Sequence, residues 1–458
     1  ALNGLIDKMR FFIEDFEIKD LNSVDLEKIV REIDNDREKI RLIREGKIER
    51  RKKELMKIAL MIVESPTKAK TIAKFFGTPA RIEINGLNVY EASTGNYLLL
   101  ITYSVGHVFD LVTKEGYHGI LDISEDLIPI FGTIKICPKC KEQFTDDIIF
   151  CPYDNEKLID KKDLLNSLRE VAYLVDEVFI ATDPDREGEK IGFDIALYLK
   201  PINQNIKRLE FHEITIKAIL NALKNPRDIN LNLVQAQLVR RIEDRLIGFE
   251  LSQKVQNKFN RKTLSAGRVQ TPVLGWIIKR LEEYKSQVKD FLRIKFDNFA
   301  TIFEIEKLKK EEKEQLFEKI LNEKVKVKII EEKEEEINPF APYTTDSLLR
   351  DASLKLNFPA HYAMQLAQDL FESGLITYIR TDSTRVSSTG INIAKEYIKE
   401  RFGESFFVPR NWAITEGAHE CIRPTKPIDV ERLIEILKLG ILILPIRLTK
   451  DHLRLYDL

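Results

Sequence analysis

Ile58-Ala59-Leu60-Met61-Ile62-Val63-Glu64-Ser65-Pro66-Thr67-Lys68 decides the fold of this chain. Its first six residues form a continuous apolar run, which is typical of a strand buried on both faces of a parallel sheet. A helix through Phe76 is predicted to follow. A second unit of this kind reads Val178-Phe179-Ile180-Ala181-Thr182 and continues through Asp183-Pro184-Asp185-Arg186-Glu187-Gly188-Glu189 into another helix. Two buried strands that each deliver acids into a helix predict an α/β domain whose site lies at the carboxyl edge of the sheet.

Four carboxylates from these two junctions form a predicted acid site, namely Glu64, Asp183, Asp185 and Glu187. Carboxylates that converge on one sheet edge repel one another unless a divalent cation or a shared proton offsets them. Hard oxygen ligands with room for water suit Mg²⁺. The alternative is that each acid only caps a helix N-terminus. Lys68 follows within the first helical turn, where it would neutralise a phosphate, assist a leaving oxygen or simply be solvated.

A tyrosine stands in a second informative stretch, Gly374-Leu375-Ile376-Thr377-Tyr378-Ile379-Arg380-Thr381-Asp382-Ser383. The amphipathic run Ala363 to Ser373 before it predicts a helix that ends at a glycine. The β-prone residues that follow predict a strand, in which Tyr378 and Arg380 face the same side. A phenol beside a guanidinium can act as a nucleophile whose phosphate adduct is held by a fixed cation. The alternative is a half-buried strand tyrosine beside a surface arginine.

Three of the four cysteines cluster with an aspartate in the order Cys137, Cys140, Cys151 and Asp154. The spacing is Cys-x-x-Cys, ten residues, then Cys-x-x-Asp. Zinc prefers four ligands and accepts a carboxylate oxygen, so this spacing predicts a zinc knuckle in which Asp154 replaces the usual fourth thiolate. The alternative is a finger that has lost that thiolate and holds metal weakly or not at all. Clustered cysteines favour metal binding in a reducing cytoplasm over a disulfide framework.

Charge is abundant but balanced in the 458-residue chain, with 73 Lys and Arg against 74 Asp and Glu and a formal net charge of −1. Any nucleic-acid surface must therefore be a local patch. Charged residues make up 32% of the chain, and their Lys and Glu richness is typical of heat-adapted proteins. The sequence contains neither a signal peptide nor an apolar run of about 18 residues, which predicts a cytoplasmic protein without a membrane partner.

A basic patch is predicted in the helical region 201–284. It comprises Arg240, Arg241, Arg245, Lys254, Lys258, Arg261, Lys262 and Arg268. The adjoining turn Leu264-Ser265-Ala266-Gly267-Arg268-Val269-Gln270-Thr271-Pro272 is rich in small residues, which suits close contact with phosphate. A solvated helical face is the alternative. His107 and His419 are weak signals on their own, because single histidines are more often structural.

These residues together resemble the type IA DNA topoisomerases and, within that family, the topoisomerase module of the reverse gyrases. The resemblance covers residues 58–450 and rests on five motifs in the family's order, at Ile62 to Ile72, Ala181 to Glu189, Leu264 to Pro272, Leu375 to Ser383 and Ala418 to Thr425. It implies a Toprim domain whose acid and Mg²⁺ site is Glu64, Asp183, Asp185 and Glu187. Tyr378 would attach covalently to the 5′ side of a cut single strand, supported by Lys68, Arg380 and His419. The DNA contacts that we carry over are Arg186, His107, Arg240, Arg241, Asp244, Arg268 and Gln270.

The resemblance also implies a multidomain α/β and α architecture of the type IA topoisomerases. We divide the chain into a helical linker from an upstream helicase-like region (1–57), a Toprim domain with a zinc-knuckle insertion near 135–160 (58–200), a helical DNA-binding domain (201–284), a β-rich arch segment (285–340), a helical domain with the nucleophilic tyrosine (341–430) and the start of a return segment (431–458). Alternating apolar residues at 291–306 predict a β-hairpin within the arch.

The partners that follow from the resemblance are single-stranded and supercoiled DNA and a helicase-like domain in cis, with the chain itself a monomer. No Gly-x-x-x-x-Gly-Lys motif occurs in the sequence. ATP is therefore expected to serve only a helicase-like part outside this chain, and ATP-dependent positive supercoiling only the full-length parent. Two alternatives stay open, a topoisomerase I or III without a helicase and a DNA-binding fragment without catalytic activity.

Overall fold

The structure, a computed structural model, describes residues 56–123, 126–286, 289–297, 300–324, 326, 328–410, 412 and 419–458, together with part of 31–47. The chain divides into two compact units, residues 1–55 and residues 56–458. In the first unit the described residues between Arg31 and Leu42 are helical. The rest of the helical linker predicted within residues 1–55 lies outside the described residues.

The first part of the second unit alternates strands and helices. It contains β1 (Lys57–Val63), α1 (Pro66–Lys74), β2 (Ala80–Ile84), β3 (Leu87–Ser93), β4 (Tyr97–Tyr103), β5 (Phe109–Leu111), β6 (Ile120–Ile123), β7 (Asp126–Pro129), β8 (Phe131–Thr133), β9 (Lys135–Ile136), β10 (Gln143–Phe144), β11 (Ile159–Asp160), α2 (Lys161–Tyr173), β12 (Glu177–Ile180), α3 (Arg186–Leu199) and β13 (Ile206–Arg208). Six strands form one sheet in the order β13-β12-β1-β4-β3-β2. The first four are parallel, whereas β3 pairs antiparallel with both β4 and β2. The predicted parallel sheet is confirmed, with an antiparallel hairpin added at one edge.

Strand β1 lies at the centre of this sheet and is buried on both faces, as its apolar run predicts. Ala59, Met61 and Val63 belong to one apolar cluster, and Leu60 and Ile62 belong to the other. Each large side chain buried in this way contributes about 1.5–3 kcal/mol. The sheet continues beyond residue 200, where we ended the domain, because β13 adds an edge strand beside β12.

Helices dominate the chain after β13. They are α4 (Ile216–Lys224), α5 (Leu231–Phe259), α6 (Gln270–Ser286), then the hairpin β14 (Asp290–Lys295) and β15 (Ala300–Ile305), followed by α7 (Lys310–Asn322), α8 (Thr345–Leu356), α9 (Ala360–Glu372), α10 (Ser388–Arg401), a 3-10 turn (Glu404–Phe406), α11 (Val430–Lys438) and α12 (Lys450–Asp457). The predicted hairpin is confirmed by the antiparallel pairing of β14 with β15. Among the described helices, none combines the length and the apolar character needed to cross a bilayer.

The helical domain that carries Tyr378 packs directly on the sheet. Phe371 and Leu375 share an apolar cluster with Met61 and Ile72 of the first domain. Hydrogen bonding reinforces this contact, because the hydroxyl of Thr71 in α1 donates to the carbonyl of Glu372 at 2.8 Å. The tyrosine-bearing segment is therefore held against the carboxyl end of the sheet.

The segment after α9 corrects one prediction. The helix ends before Gly374 as predicted, and a Cβ at this left-handed residue (φ +74°) would lie 2.6 Å from the Ile214 carbonyl oxygen. The predicted strand is not formed, and only an isolated bridge joins Ile376 to Pro424. The backbone N–H groups of the next residues bind two different segments, since Thr377 donates to Arg423 at 2.9 Å and Tyr378 donates to His212 at 2.8 Å. Tertiary partners therefore replace a β-ladder in this extended segment.

Candidate active site

The acid site forms where β1 and β12 end side by side. These strands are parallel neighbours, so Glu64 and Asp183 emerge at the same edge of the sheet. The backbone N–H of Asp183 donates to Oε1 of Glu64 at 3.0 Å. Asp185 also caps α3, since its Oδ1 accepts from the N–H of Gly188 at 2.7 Å. Asp185 therefore caps a helix, as the alternative proposed, and also lies in the acid cluster.

Lys68 is buried, which excludes the alternative that its side chain is simply solvated. It is only 2% exposed, and its ammonium group forms an ion pair with Oδ1 of Asp183. The ammonium group also lies 5.2 Å from the centre of the Phe371 ring. Burial alone would lower the pKa of Lys68, but the charges of Asp183 and Glu64 outweigh it and raise that pKa. A fixed cation therefore lies within the acid cluster.

Tyr378 reaches this cluster from the other domain. Its hydroxyl donates to Oδ2 of Asp185 at 2.6 Å, and the side chain is 2% exposed. Arg380 faces the same acids, with Nη1 3.0 Å from Oδ2 of Asp185 and 2.5 Å from Oε2 of Glu187. The prediction that Tyr378 and Arg380 face one site is confirmed, although the segment is not a strand.

The ionisation of the site reflects crowding of negative charge. Burial, followed by the charge of Asp183, raises the pKa of Glu64 to about 7. The pKa of Tyr378 lies above its usual range because of burial and the charges of Asp183 and Asp185. Asp185 behaves in the opposite way: burial raises its pKa, but hydrogen bonds from Gly188 and Tyr378 and the charge of Arg380 bring it below the usual value. Such a cluster of oxygen ligands is what a divalent cation prefers.

Two histidines lie beside Tyr378, and sequence reasoning identified only one of them. The rings of His419 and Tyr378 are 5.9 Å apart between centres. His212 contacts His419, with their Nδ1 atoms 3.3 Å apart, and its carbonyl accepts the N–H of Tyr378. In the sequence, His212 stands in no recognisable motif, so only the fold brings it to the site.

His107 and Arg241 lie near Glu187. The three residues line a cavity of about 290 Å³ that also involves Lys190 of α3 and Gln237 of α5. Arg241 does not extend freely into solvent, because its guanidinium pairs with Asp110 at 2.8 Å. This cavity continues the acid site towards α5.

The remaining predicted DNA contacts lie along α3 and α5, in the turn before α6 and at Gln270, the first residue of α6. Arg268 donates to Oδ1 of Asp244 at 2.9 Å, and Arg240 lies 3.8 Å from the other oxygen of the same carboxylate. The side-chain amide of Gln270 lies 3.2 Å from Ser265 Oγ within the predicted turn. Arg186 is exposed in the first turn of α3.

The basic patch is not one continuous solvated face, because one of its members is buried. Arg245 is 6% exposed and donates to the carbonyl of Leu111 at 2.9 Å. Its guanidinium also stacks on the ring of Phe249, 4.6 Å from the ring centre. The role of Arg245 is therefore to join α5 to β5, whereas Arg240 and Arg241 are each about half exposed.

The four knuckle residues converge as their spacing predicts. One ligand atom from each of Cys137, Cys140, Cys151 and Asp154 lies within 4.8 Å of all the others. Sγ of Cys137 is 3.3 Å from Oδ2 of Asp154, and the sulfurs of Cys140 and Cys151 are 3.7 Å apart. Three thiols and one carboxylate at such distances form a donor set that could hold a tetrahedral metal ion.

Comparison with known proteins agrees with this geometry. A family model described as "DNA topoisomerase" matches residues 228–458, and one described as "Toprim domain" matches residues 59–214. The chain is 52% identical over 465 residues to a protein named reverse gyrase from Pyrococcus furiosus, covering 100% of this chain and 37% of that protein. It is 49% identical over 432 residues to reverse gyrase 2 of Aquifex aeolicus, covering 94% of this chain and 37% of the relative.

A solved structure shows the same fold. The full-length topoisomerase I of Thermotoga maritima superposes with a TM-score of 0.61 at 30% identity, over 87% of this chain and 58% of that chain.

The chain spans little more than a third of the length of the two reverse gyrases, and it matches them over nearly all of its own residues. Together with the family model that covers its C-terminal half, these matches show that the chain belongs to the type IA DNA topoisomerase family.

Proposed function

We propose that this chain is the strand-cleaving and rejoining module of a reverse gyrase. In this reaction Oη of Tyr378 forms a bond to the phosphorus of a single-stranded DNA phosphodiester. The phenol proton is released, the bond from phosphorus to the 3′ oxygen breaks, and that oxygen takes up one proton, so the exchange is balanced. Because one phosphate ester replaces another, the energy of the broken bond is kept in the 5′-phosphotyrosine and rejoining needs no ATP. The hydrogen bond from Tyr378 to Asp185 is the observation that carries the proposal.

The residues around Tyr378 suit the charge that develops on the phosphate. Arg380 and Lys68 provide two fixed cations within the acid cluster. We propose that Asp183, Asp185, Glu187 and Glu64 hold Mg²⁺, since Arg380 contacts both Asp185 and Glu187 and the N–H of Asp183 binds Glu64. The metal ion, when bound, would offset the negative charge of the acids and of the phosphate.

The described conformation is the closed state of this module. Tyr378 is almost fully buried between the two domains, so a DNA strand reaches it only after the tyrosine-bearing domain moves. The contacts that must open include the hydrogen bond from Thr71 to Glu372 and the ion pair of Arg423 with Glu213. Domain motion of this kind, which exposes and then covers the reacting groups, would also open the gate for a second strand.

A row of mainly basic residues extends from the acid site and indicates the path of the DNA. Arg186, His107 and Arg241 extend from the acids to α5, and Arg240 and Arg268 continue along α5 to the turn that contains Gln270. Each of these arginines is exposed or pairs with a carboxylate that a phosphate could replace. We infer that these residues bind the backbone of the single strand, with Asp244 orienting Arg268.

A substitution of the tyrosine tests the proposal most directly. The Tyr378→Phe chain should form no covalent adduct with a labelled single-stranded oligonucleotide in the presence of Mg²⁺, whereas the wild-type chain should form one that survives denaturing electrophoresis. Tyr343→Phe is the matched control, because Tyr343 lies in the same domain and its hydroxyl donates to Asp351 at 2.9 Å. Adducts formed by Tyr378→Phe would remove the assignment. Tight DNA binding without adducts in the wild type would favour the non-catalytic alternative.

The wider activity belongs to a longer protein than this chain. We propose that ATP-dependent positive supercoiling requires a helicase-like partner in cis, and that this monomeric module alone acts on negatively supercoiled DNA without ATP. Analysis of plasmid topoisomers on two-dimensional gels, with and without ATP, tests this. A plain topoisomerase I or III is the alternative, and the sequence of the parent reading frame upstream of Ala1 distinguishes the two. We also infer that the knuckle binds zinc, since its donor set of three thiols and one carboxylate fits that ion.

A further inference from the structure

A series of three side chains leads from Glu210, which is about a third exposed, to the reaction site. Oε1 of Glu210 lies 3.4 Å from Nε2 of His212, and Nδ1 of His212 lies 3.3 Å from Nδ1 of His419. The rings of the two histidines meet edge to face, with centres 5.1 Å apart. Glu210 is itself fixed by Arg227, whose Nε donates to Oε2 at 2.8 Å. The three residues form a continuous carboxylate–imidazole–imidazole series that ends beside Tyr378.

The donor and acceptor properties of these groups assign the protons. An ionised carboxylate only accepts, so the nitrogen that faces Glu210 across this 3.4 Å contact, Nε2 of His212, is assigned a proton. In a neutral imidazole the other nitrogen then carries a lone pair, so Nδ1 of His212 accepts. His419 must supply the proton between the two Nδ1 atoms, which leaves its own Nε2 with the free lone pair. The reverse arrangement, with Nδ1 of His212 as the donor, would require His212 to be an imidazolium, because its Nε2 already carries the proton that faces Glu210.

The surrounding groups set the ionisation of Glu210 and of His419. A hydrogen bond with His212, followed by those from Arg227, lowers the pKa of Glu210 to about 2, so the carboxylate is ionised at neutral pH. Burial and then His212 lower the pKa of His419, against the opposing charges of Glu210, Asp185 and Asp382. His419 is therefore neutral near pH 7 and has one nitrogen available as an acceptor.

We propose that His212 is a positioning residue for DNA cleavage, which together with Glu210 fixes His419 in the Nδ1–H tautomer and presents its Nε2 to the reacting groups around Tyr378. This inference rests on the proposed function, because His419 has a reaction to serve only if Tyr378 attacks DNA. His212 also accepts the backbone N–H of Tyr378 through its carbonyl. The short segment between β13 and α4 thus binds the Tyr378 backbone through the His212 carbonyl and contacts the His419 ring through the His212 side chain.

The first test needs no DNA. In the ¹⁵N-histidine-labelled full chain, nuclear magnetic resonance should show His419 as the Nδ1–H tautomer, with its signals identified by their absence in His419→Gln. His212→Phe should release that tautomer and shift the titration of His419. His212→Asn should largely preserve it, because the Asn amide lies near the position of Nδ1. Glu210→Gln should give a mixture of tautomers, since the amide no longer requires a donor from His212. An unchanged His419 tautomer and titration in His212→Phe would overturn the proposal.

The second test follows single-turnover cleavage of an oligonucleotide as a function of pH. His212→Phe should lower the cleavage rate about tenfold and displace the limb of the pH profile that reports His419, with DNA affinity unchanged. His212→Asn should recover most of the rate, and His361→Phe, at an exposed position of α9, should behave as wild type. A wild-type pH profile in His212→Phe would refute the positioning role. A wild-type chain that forms no adduct would refute the proposed function instead, and the tautomer measurement would still decide the role of His212.

Discussion

The hydroxyl of Tyr378 donates a 2.6 Å hydrogen bond to Oδ2 of Asp185, a residue 193 positions earlier in the chain. Burial and the neighbouring acids hold the pKa of Tyr378 above its usual range, so the phenol keeps its proton in this state. On the function that we propose, Tyr378 is unreactive in this state until cations offset the acids or the domains separate.

Replacement of Arg380 should strengthen the binding of Mg²⁺ to the chain without DNA. Nη1 of Arg380 contacts Asp185 and Glu187, so the guanidinium competes for oxygens that we assign to the metal. Arg380→Gln should lower the Mg²⁺ dissociation constant about threefold to tenfold, as measured by isothermal titration calorimetry. The control is Arg401→Gln, which removes an arginine that pairs with Asp429 on α11. Weaker Mg²⁺ binding in Arg380→Gln would show that Arg380 does not compete with the metal.

Glu64 should make the metal-free chain less stable at alkaline than at acidic pH. Its pKa rises from 4.5 to about 7 on folding, so between these values the folded chain holds a proton that the unfolded chain has lost. Stability from this group therefore falls as the pH rises from about 4.5 to 7 and stays low above 7. Glu64→Gln keeps an acceptor for the N–H of Asp183 and removes the charge.

The Gln variant should accordingly be more stable than wild type by on the order of 2–3 kcal/mol at pH 8 without divalent cations, and nearly equal at pH 5. Guanidinium unfolding at the two pH values measures the difference. Glu83→Gln, at an exposed position of β2, should change stability at neither pH. Equal effects of Glu64→Gln at pH 5 and pH 8 would contradict the shifted pKa.

The sequence was sufficient for those parts of the site that follow regular strands. The apolar run of β1 and its partner β12 predicted that Glu64 and Asp183 meet, because parallel strands end at a common edge. The sequence did not predict the parts of the site that depend on tertiary contacts. Solvation was an open alternative for Lys68, and only the packing of Phe371 against α1 shows that it is buried beside Asp183.

The segment around Tyr378 and the position of His212 show the same limit. β propensity predicted a ladder after Gly374, but the hydrogen bonds of Thr377 and Tyr378 go to Arg423 and His212, which no local pattern could indicate. The basic patch was predicted from charge alone, whereas the buried position of Arg245 depends on β5. Periodicity thus identified the elements, and long-range pairing determined which side chains share a site.

The knuckle should bind about one zinc ion per chain, and its affinity should depend on the identity of residue 154. Asp154→Cys completes a set of four thiolates and should bind zinc more tightly, whereas Cys140→Ser should lose the ion. Elemental analysis and competition with a chromogenic chelator measure the two effects. The control is Cys421→Ser, because Cys421 is buried in the tyrosine-bearing domain, outside the knuckle. Chain prepared without chelators that contains no zinc would favour a degenerate finger.

Removal of that zinc should unfold the knuckle but not the sheet. Cys137, Cys151 and Leu158 form a small apolar cluster distinct from the two clusters that enclose β1. After zinc is stripped, hydrogen exchange should accelerate at 135–160 while β1 and β12 stay protected. Loss of protection throughout the sheet would show instead that the knuckle supports the whole first domain.

The ion pair between Arg423 and Glu213 should act as a latch on the closed state. Nη2 of Arg423 lies 2.9 Å from Oε2 of Glu213 and 2.7 Å from Oε1 of Glu420, and all three side chains are nearly buried. Glu213→Gln removes one charge of an interdomain pair while Glu420 continues to neutralise Arg423. The Glu213→Gln variant should therefore open more often and form the covalent adduct severalfold faster. Arg423→Ala should instead destabilise the chain by about 3–5 kcal/mol, because two buried carboxylates lose their partner. Glu435→Gln breaks an exposed pair with Arg432 on α11 and should alter neither quantity. Adduct formation at the wild-type rate in Glu213→Gln, with stability also unchanged, would mean that this pair does not hold the domains together.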